Sequence, residues 1–246
     1  MAILVKNKRD FPKAYIKKLL KEACVLSITA LCILSMPGCT PSVGLLHPGQ
    51  RALNRRAPEK FQVLLETSKG DILLELQREW SPHGVDRFYN LVRYGYYDHS
   101  KIFRIRTGTW AQFGVAGDPK VAQAWRDQTI PDDRRILSNQ RGTVAYAFKD
   151  PNGRTTQVFI NLRDNSVTHD QEPFVPFARV IKGMEAADAL YSDYGERAGG
   201  GIRAGKQDPL FSGGNDYLEH NFPLLDSIQR AHLILLPNTR RIKTER

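Results

Sequence analysis

Residues 103–118, FRIRTGTWAQFGVAGD, and 142–161, GTVAYAFKDPNGRTTQVFIN, decide how this chain is read. Both contain short runs of β-branched and aromatic residues, interrupted by glycine or by a Pro-Asn-Gly turn signal, which is the pattern of short strands. Strands are expected at 102–106, 110–114, 143–148 and 157–162. Upstream, FQVLLETS (61–68) and ILLELQ (72–77) flank Lys69-Gly70-Asp71 and predict a β-hairpin. Ser81 as N-cap and Pro82 in the first turn open a helix to about Tyr96, with Val85, Phe88, Leu91 and Val92 on one face. Downstream lie a strand at 174–181, a helix at 183–191 and a closing strand at 231–236. Short strands with two helices among them, and no regular βα alternation, predict a largely antiparallel β-barrel capped by helices.

The ends of the chain have a different character. The chain has 246 residues and a formal charge of +10, with 41% hydrophobic and 25% charged residues, the mix of a soluble globular protein. Before residue 39 there are seven basic and two acidic residues, so half of the charge excess sits there. The remainder is spread thinly, and no dense basic stripe predicts a nucleic-acid partner. Residues 23–36, ACVLSITALCILSM, form an uncharged run the length of a signal-peptide core and short for a spanning helix. The run ends in Met36-Pro37-Gly38-Cys39 and then turns polar, which resembles a bacterial lipoprotein signal. That resemblance implies export, lipidation of Cys39 and a membrane anchor facing the periplasm or the cell exterior. The alternative reading is an uncleaved signal anchor with Cys39 an incidental thiol. No cysteine follows Cys39, so the body is expected to be held by its core, without a disulfide framework or thiolate metal site.

In the two quoted segments, and in FVPFARVIKGM at 174–184, the chain resembles the cyclophilins, in the family's order and over residues 61 to about 192. The resemblance implies a closed antiparallel eight-stranded barrel capped by two α-helices, and peptidyl-prolyl cis-trans isomerisation without a cofactor or metal. It divides the chain into a signal peptide (1–38), a linker (39–59), a cyclophilin-like domain (60–238) and a basic tail (239–246). Proline-containing polypeptides are the implied substrates, and a monomer is the default state. Arg104 matches the family's catalytic arginine and Gln112 the glutamine that positions it. Phe159 matches the floor of the proline site, Gln157 and Ala147 flank the peptide groove, and Phe174 replaces a common histidine. Thr109 and Trp110 stand where the family has Phe and Met, with Trp110 a possible wall of the site. The loop 167–173 aligns with no assigned residue, and 119–135 and 193–228 are insertions. The altered walls keep a second reading open, a weakened peptide-binding or scaffolding lipoprotein.

Rotation about an X-Pro bond breaks no covalent bond, so the chemistry asks for no nucleophile or proton shuttle. The barrier, about 18–20 kcal/mol, is amide resonance, and a guanidinium aimed at the twisted amide can stabilise it. Other signals are set aside. Gly200 to Gln207 nearly spells a phosphate-binding loop but ends in Gln207 where Ser or Thr is required. The histidines lack metal-ligand spacing. Asp132-Asp133 with Arg134-Arg135 reads as a solvated loop.

Overall fold

A computed structural model describes residues 42–201 and 205–236; the expected signal peptide, Cys39 and the basic tail lie outside the described residues. Among the described residues nine strands are present: β1 (Lys60–Thr67), β2 (Gly70–Gln77), β3 (Ser100–Lys101), β4 (Arg104–Arg106), β5 (Trp110–Phe113), β6 (Thr143–Tyr146), β7 (Val158–Asn161), β8 (Pro176–Lys182) and β9 (Ser227–Ile234). They form one antiparallel sheet in the order β3-β9-β1-β2-β8-β6-β7-β5-β4.

The count is nine, not the expected eight, because a short strand, β3, forms just ahead of the stretch predicted at 102–106, of which Arg104–Arg106 pairs as β4. Strands β3 and β4 lie at opposite ends of the sheet, separated in sequence only by Ile102 and Phe103. Three Cα steps of about 3.8 Å cannot span more than about 11 Å. The sheet must therefore curl until its ends meet, and the seam is closed by the chain itself.

The hairpin β1–β2 turns through Ser68-Lys69, one residue earlier than expected, with Thr67 opposite Gly70. Its alternation puts Phe61, Val63 and Leu65 from β1 and Ile72, Leu74 and Leu76 from β2 into the core. Helix α1 is Ser42–Leu45, α2 Pro82–Arg93, α3 Pro119–Trp125, α4 Ser166–His169, α5 Met184–Asp188 and α6 Asp208–Asn221. Helices α2 and α5 are the two expected ones. Phe88 of α2 stacks at 5.0 Å on Phe177 of β8 and plugs the barrel. Helix α2 ends three residues before the expected Tyr96 because Gly95 adopts φ +72. The Tyr96 N–H then reaches back to the Leu91 carbonyl and the Gly95 N–H to that of Val92, a Schellman stop.

The cap of α2 is not Ser81, whose hydroxyl makes no capping bond. Asp133 accepts the His83 and Gly84 N–H groups instead, at 3.1 and 3.0 Å, and also the Ser81 hydroxyl. The solvated-loop reading of Asp132-Asp133 is thus corrected. Arg154 has no exposed side-chain surface and is ion-paired to Asp132 at 3.1 Å and Asp133 at 3.2 Å. Sequence spacing cannot reveal a cap supplied from about fifty residues away.

The part of the expected linker that is described also packs down. Leu45, Leu53 and Ala57 are buried. Polar side chains on the outer face of α2 hold the segment, with Asn90 donating to the Arg55 carbonyl (2.7 Å) and Asp86 accepting the Ala57 N–H (2.9 Å). Trp125 of α3 donates its indole N–H to the Leu45 carbonyl at 2.7 Å. Proline, glycine and arginine hide this because the segment has no period; it is held by scattered apolar anchors. The two insertions pack together, burying Val121, Ala122 and Trp125 of α3 with Leu210, Phe211 and Leu218 of α6.

Candidate functional site

Along β4, β5 and β7, successive residues point alternately into and out of the barrel. Ile105, Ala111, Phe113, Val158 and Ile160 face inward and are buried in the core. The opposite parity carries Arg104 on β4, Trp110 and Gln112 on β5, and Phe159 on β7. Register aligns them: Arg104 lies opposite Gln112, and Gln112 lies opposite Phe159. Sheet pairing alone therefore sets an arginine, a glutamine and a phenylalanine side by side on the outer face.

The side chains complete the arrangement. Arg104 donates from Nη1 to Gln112 Oε1 at 2.9 Å, and its guanidinium lies 4.6 Å from the centre of the Trp110 ring. Gln112 Nε2 donates to Gln157 Oε1 at 2.8 Å. Beside this polar row lies an aromatic cluster. Phe159 meets Phe174 at 5.3 Å and His169 at 5.4 Å, both edge-to-face, and Phe148 stacks on Phe174 at 4.6 Å. Ala147 is half-buried, and its N–H donates to the Gln157 carbonyl at 2.9 Å. All seven residues expected at the site are thus brought together: Arg104, Trp110, Gln112 and Gln157 as one contact chain, Phe159 and Phe174 as one cluster, and Ala147 bonded through its N–H to the Gln157 carbonyl. Trp110 is placed against the guanidinium, and among the described residues none of its aromatic contacts is with Phe159.

The electrostatics follow from burial. Desolvation lowers the Arg104 pKa, opposed by the hydrogen bond and charge of Glu196. An arginine so placed still keeps its proton at any ordinary pH. Burial likewise pushes the His169 imidazole below its ordinary value, so at neutral pH it is an uncharged ring. Helix α4, which ends at His169, is held by the next residue, Asp170, which accepts from the Ser138 hydroxyl and from the Asn139 side-chain amide at 2.8 Å. Asn139 also donates to the Phe174 carbonyl at 3.0 Å, fixing both sides of the aromatic cluster.

The chain was compared with known proteins. Residues 62–203 match the family model described as cyclophilin type peptidyl-prolyl cis-trans isomerase/CLD. The chain belongs to the cyclophilin-type peptidyl-prolyl cis-trans isomerases. This cyclophilin is similar to peptidyl-prolyl cis-trans isomerase A of Dickeya dadantii, 33% identical over 147 residues that cover 58% of the chain and 77% of the relative. It is also similar to peptidyl-prolyl cis-trans isomerase B of Escherichia coli, 29% identical over 52% of the chain and 82% of that protein. A cyclophilin type peptidyl-prolyl cis-trans isomerase of Cryptosporidium parvum shares the fold, with a TM-score of 0.52 at 20% identity over 72% of the chain and 99% of the other. The cyclophilin is accordingly a peptidyl-prolyl isomerase acting on proline-containing peptides.

Sequence reasoning missed four contacts of this site. His169 and Phe148 join the aromatic cluster; His169 lies in 167–173, which matched nothing, and Phe148 lies in the quoted segment 142–161, where no role was carried over to it. Glu196 and Gln207 come from the insertion at 193–228. Glu196 pairs with Arg104 Nη2 at 2.5 Å, and Gln207 exchanges hydrogen bonds with Gln157 at 3.0 and 3.1 Å. Gly199 lies on the Arg104 stem, where a Cβ would come within 2.5 Å of the arginine Cβ.

Proposed function

We propose that this cyclophilin speeds folding of proline-containing proteins outside the cytoplasm, held at a membrane by lipid on Cys39, with Arg104 as its catalytic residue. The observation that carries the catalytic part is the placement of the Arg104 guanidinium by Gln112 next to the Phe159–His169–Phe174 cluster. In the reaction the proline ring rests on the aromatic cluster and its peptide nitrogen pyramidalises as the bond twists. Arg104 donates to the twisted amide, and the interaction strengthens as conjugation is lost. Gln112 orients Arg104, while Gln157 and the backbone beside Ala147 hold the flanking peptide.

The location rests on the order basic segment, apolar core, Gly38-Cys39 and polar start. Bacterial cells producing the full chain and fed labelled palmitate are expected to yield labelled protein in the membrane fraction, and Cys39→Ala should abolish the label. An unlabelled wild type, or label that survives the substitution, would remove the anchor from this account. The second reading, a weakened peptide-binding lipoprotein, draws support from Thr109 and from Trp110 being engaged with Arg104.

A further inference from the structure

The insertion after α5 touches the site at three points through its described residues. Glu196 takes one arm of the Arg104 guanidinium, Gly199 lies against its stem, and Gln207 pairs with Gln157 while donating to the Gly199 carbonyl at 3.3 Å. A continuous row of polar contacts runs from Glu196 through Arg104, Gln112 and Gln157 to Gln207, beginning and ending on residues of the same insertion. A carboxylate oxygen on a guanidinium and a carboxamide paired with Gln157 offer the same acceptor and donor chemistry as the carbonyl and N–H of an extended peptide.

Arg104 adds an independent observation. Its Nε–H is buried and has no acceptor, and its side chain is 11% exposed. Contacts serving only to steady the guanidinium would be expected to satisfy that donor, since a covered, unpaired N–H is costly. Here Gly199 lies against the Arg104 stem and Glu196 takes Nη2, yet Nε–H stays unpaired.

We infer that the strap bearing Glu196, Gly199 and Gln207 is an internal competitor of the proline peptide, which must leave Arg104 and Gln157 before a substrate backbone can take its place. The inference rests on Arg104 being the catalytic donor. Substrate then meets only the open fraction of the protein. The apparent KM rises by the inverse of that fraction, while kcat, measured at saturation, does not change. Gly200 and Gly201, with φ 89 and 81, give the strap backbone freedom next to the contact.

The test is isomerisation of a short Ala-Pro peptide over a range of concentrations by the full chain, with Glu196→Gln, Gln207→Ala and the double variant. The double variant is expected to lower KM about tenfold with kcat within about twofold of wild type. A fall in kcat at constant KM would overturn the inference and make Glu196 a positioning residue. Unchanged KM and kcat would show that the strap does not compete. Arg104→Ala, measured in parallel with circular dichroism, separates the two failures. If it stays active, the site assignment falls and the inference with it; if it is inactive and the strap variants match wild type, only the inference fails.

Discussion

Asp133→Ala is expected to lower the stability of the folded domain by about 3–5 kcal/mol, read as a shift of the urea midpoint, because it removes one partner of a fully buried cation. Arg154 has no exposed side-chain surface, and Asp133 is 4% exposed. Once the carboxylate is gone, Arg154 keeps Asp132 at 3.1 Å but loses the partner that shares its burial. The same substitution strips the cap from α2, leaving the His83 and Gly84 N–H groups without an acceptor, a loss of about 1 kcal/mol by itself. Helix α2 plugs the barrel through Phe88, so the damage passes directly to the core.

The acid limb of stability carries a second signature of this aspartate. Burial pushes the Asp133 pKa up, but the Ser81 hydroxyl, the Gly84 and His83 N–H groups and Arg154 together hold it below its ordinary value. A carboxylate whose pKa is lower folded than unfolded contributes stability that is complete above the unfolded value of about 4 and lost as pH falls through the folded one. Asp133→Ala should flatten that part of the midpoint-against-pH curve. A loss below about 1 kcal/mol with an unchanged acid limb would mean that Asp132 alone carries Arg154.

Arg104→Ala is expected to cut kcat/KM for an Ala-Pro peptide by about a hundredfold or more, the 2.7–4 kcal/mol typical of removing one donor aimed at a transition state. The loss should fall mainly on kcat, since the aromatic cluster proposed to receive the proline ring is untouched. Arg104→Lys should recover little, because a point charge cannot both bond Gln112 and present a second fixed donor. The fold should survive, as Arg104 lies on the outer face and Glu196, once unpaired, can be hydrated at its 23% exposed side chain. The rate should vary little with pH from 7 to 9, because the Arg104 guanidinium does not titrate there and burial pushes the His169 pKa below its ordinary value.

The fold was legible wherever local pattern and long-range pairing agree. Alternation in 61–77 placed the hairpin, and the 3.6-residue period of Val85, Phe88, Leu91 and Val92 placed α2. Arg104, Gln112 and Phe159 could be named from the ordered segments, and strand register sets them in one ladder. What escaped was fixed by contacts distant in sequence. Asp133 caps a helix 49 residues away from it, as counted to Gly84. Leu45, Leu53 and Ala57 anchor a segment that reads as linker, because three apolar residues in a polar stretch make no period. Within the site, the row Arg104, Gln112, Gln157 could be named, but not what closes on it. Glu196 and Gln207 sit in an insertion where each is one polar residue among many. Their role depends on where the loop returns, which no spacing rule encodes. Trp110 was readable as a wall of the proline site; its contact with the Arg104 guanidinium was not, and arises because β5 sets the ring diagonal to Arg104, where a cation–π contact is available.

Exchange spectroscopy on a short Ala-Pro peptide, with catalytic amounts of the folded full chain, tests the central claim most directly, that the outer-face row headed by Arg104 isomerises prolyl bonds. Cross-peaks between the cis and trans forms with wild type, absent with an equally folded Arg104→Ala, are the predicted result. Exchange no faster than in peptide alone with wild type, or equal exchange with the variant, would contradict it.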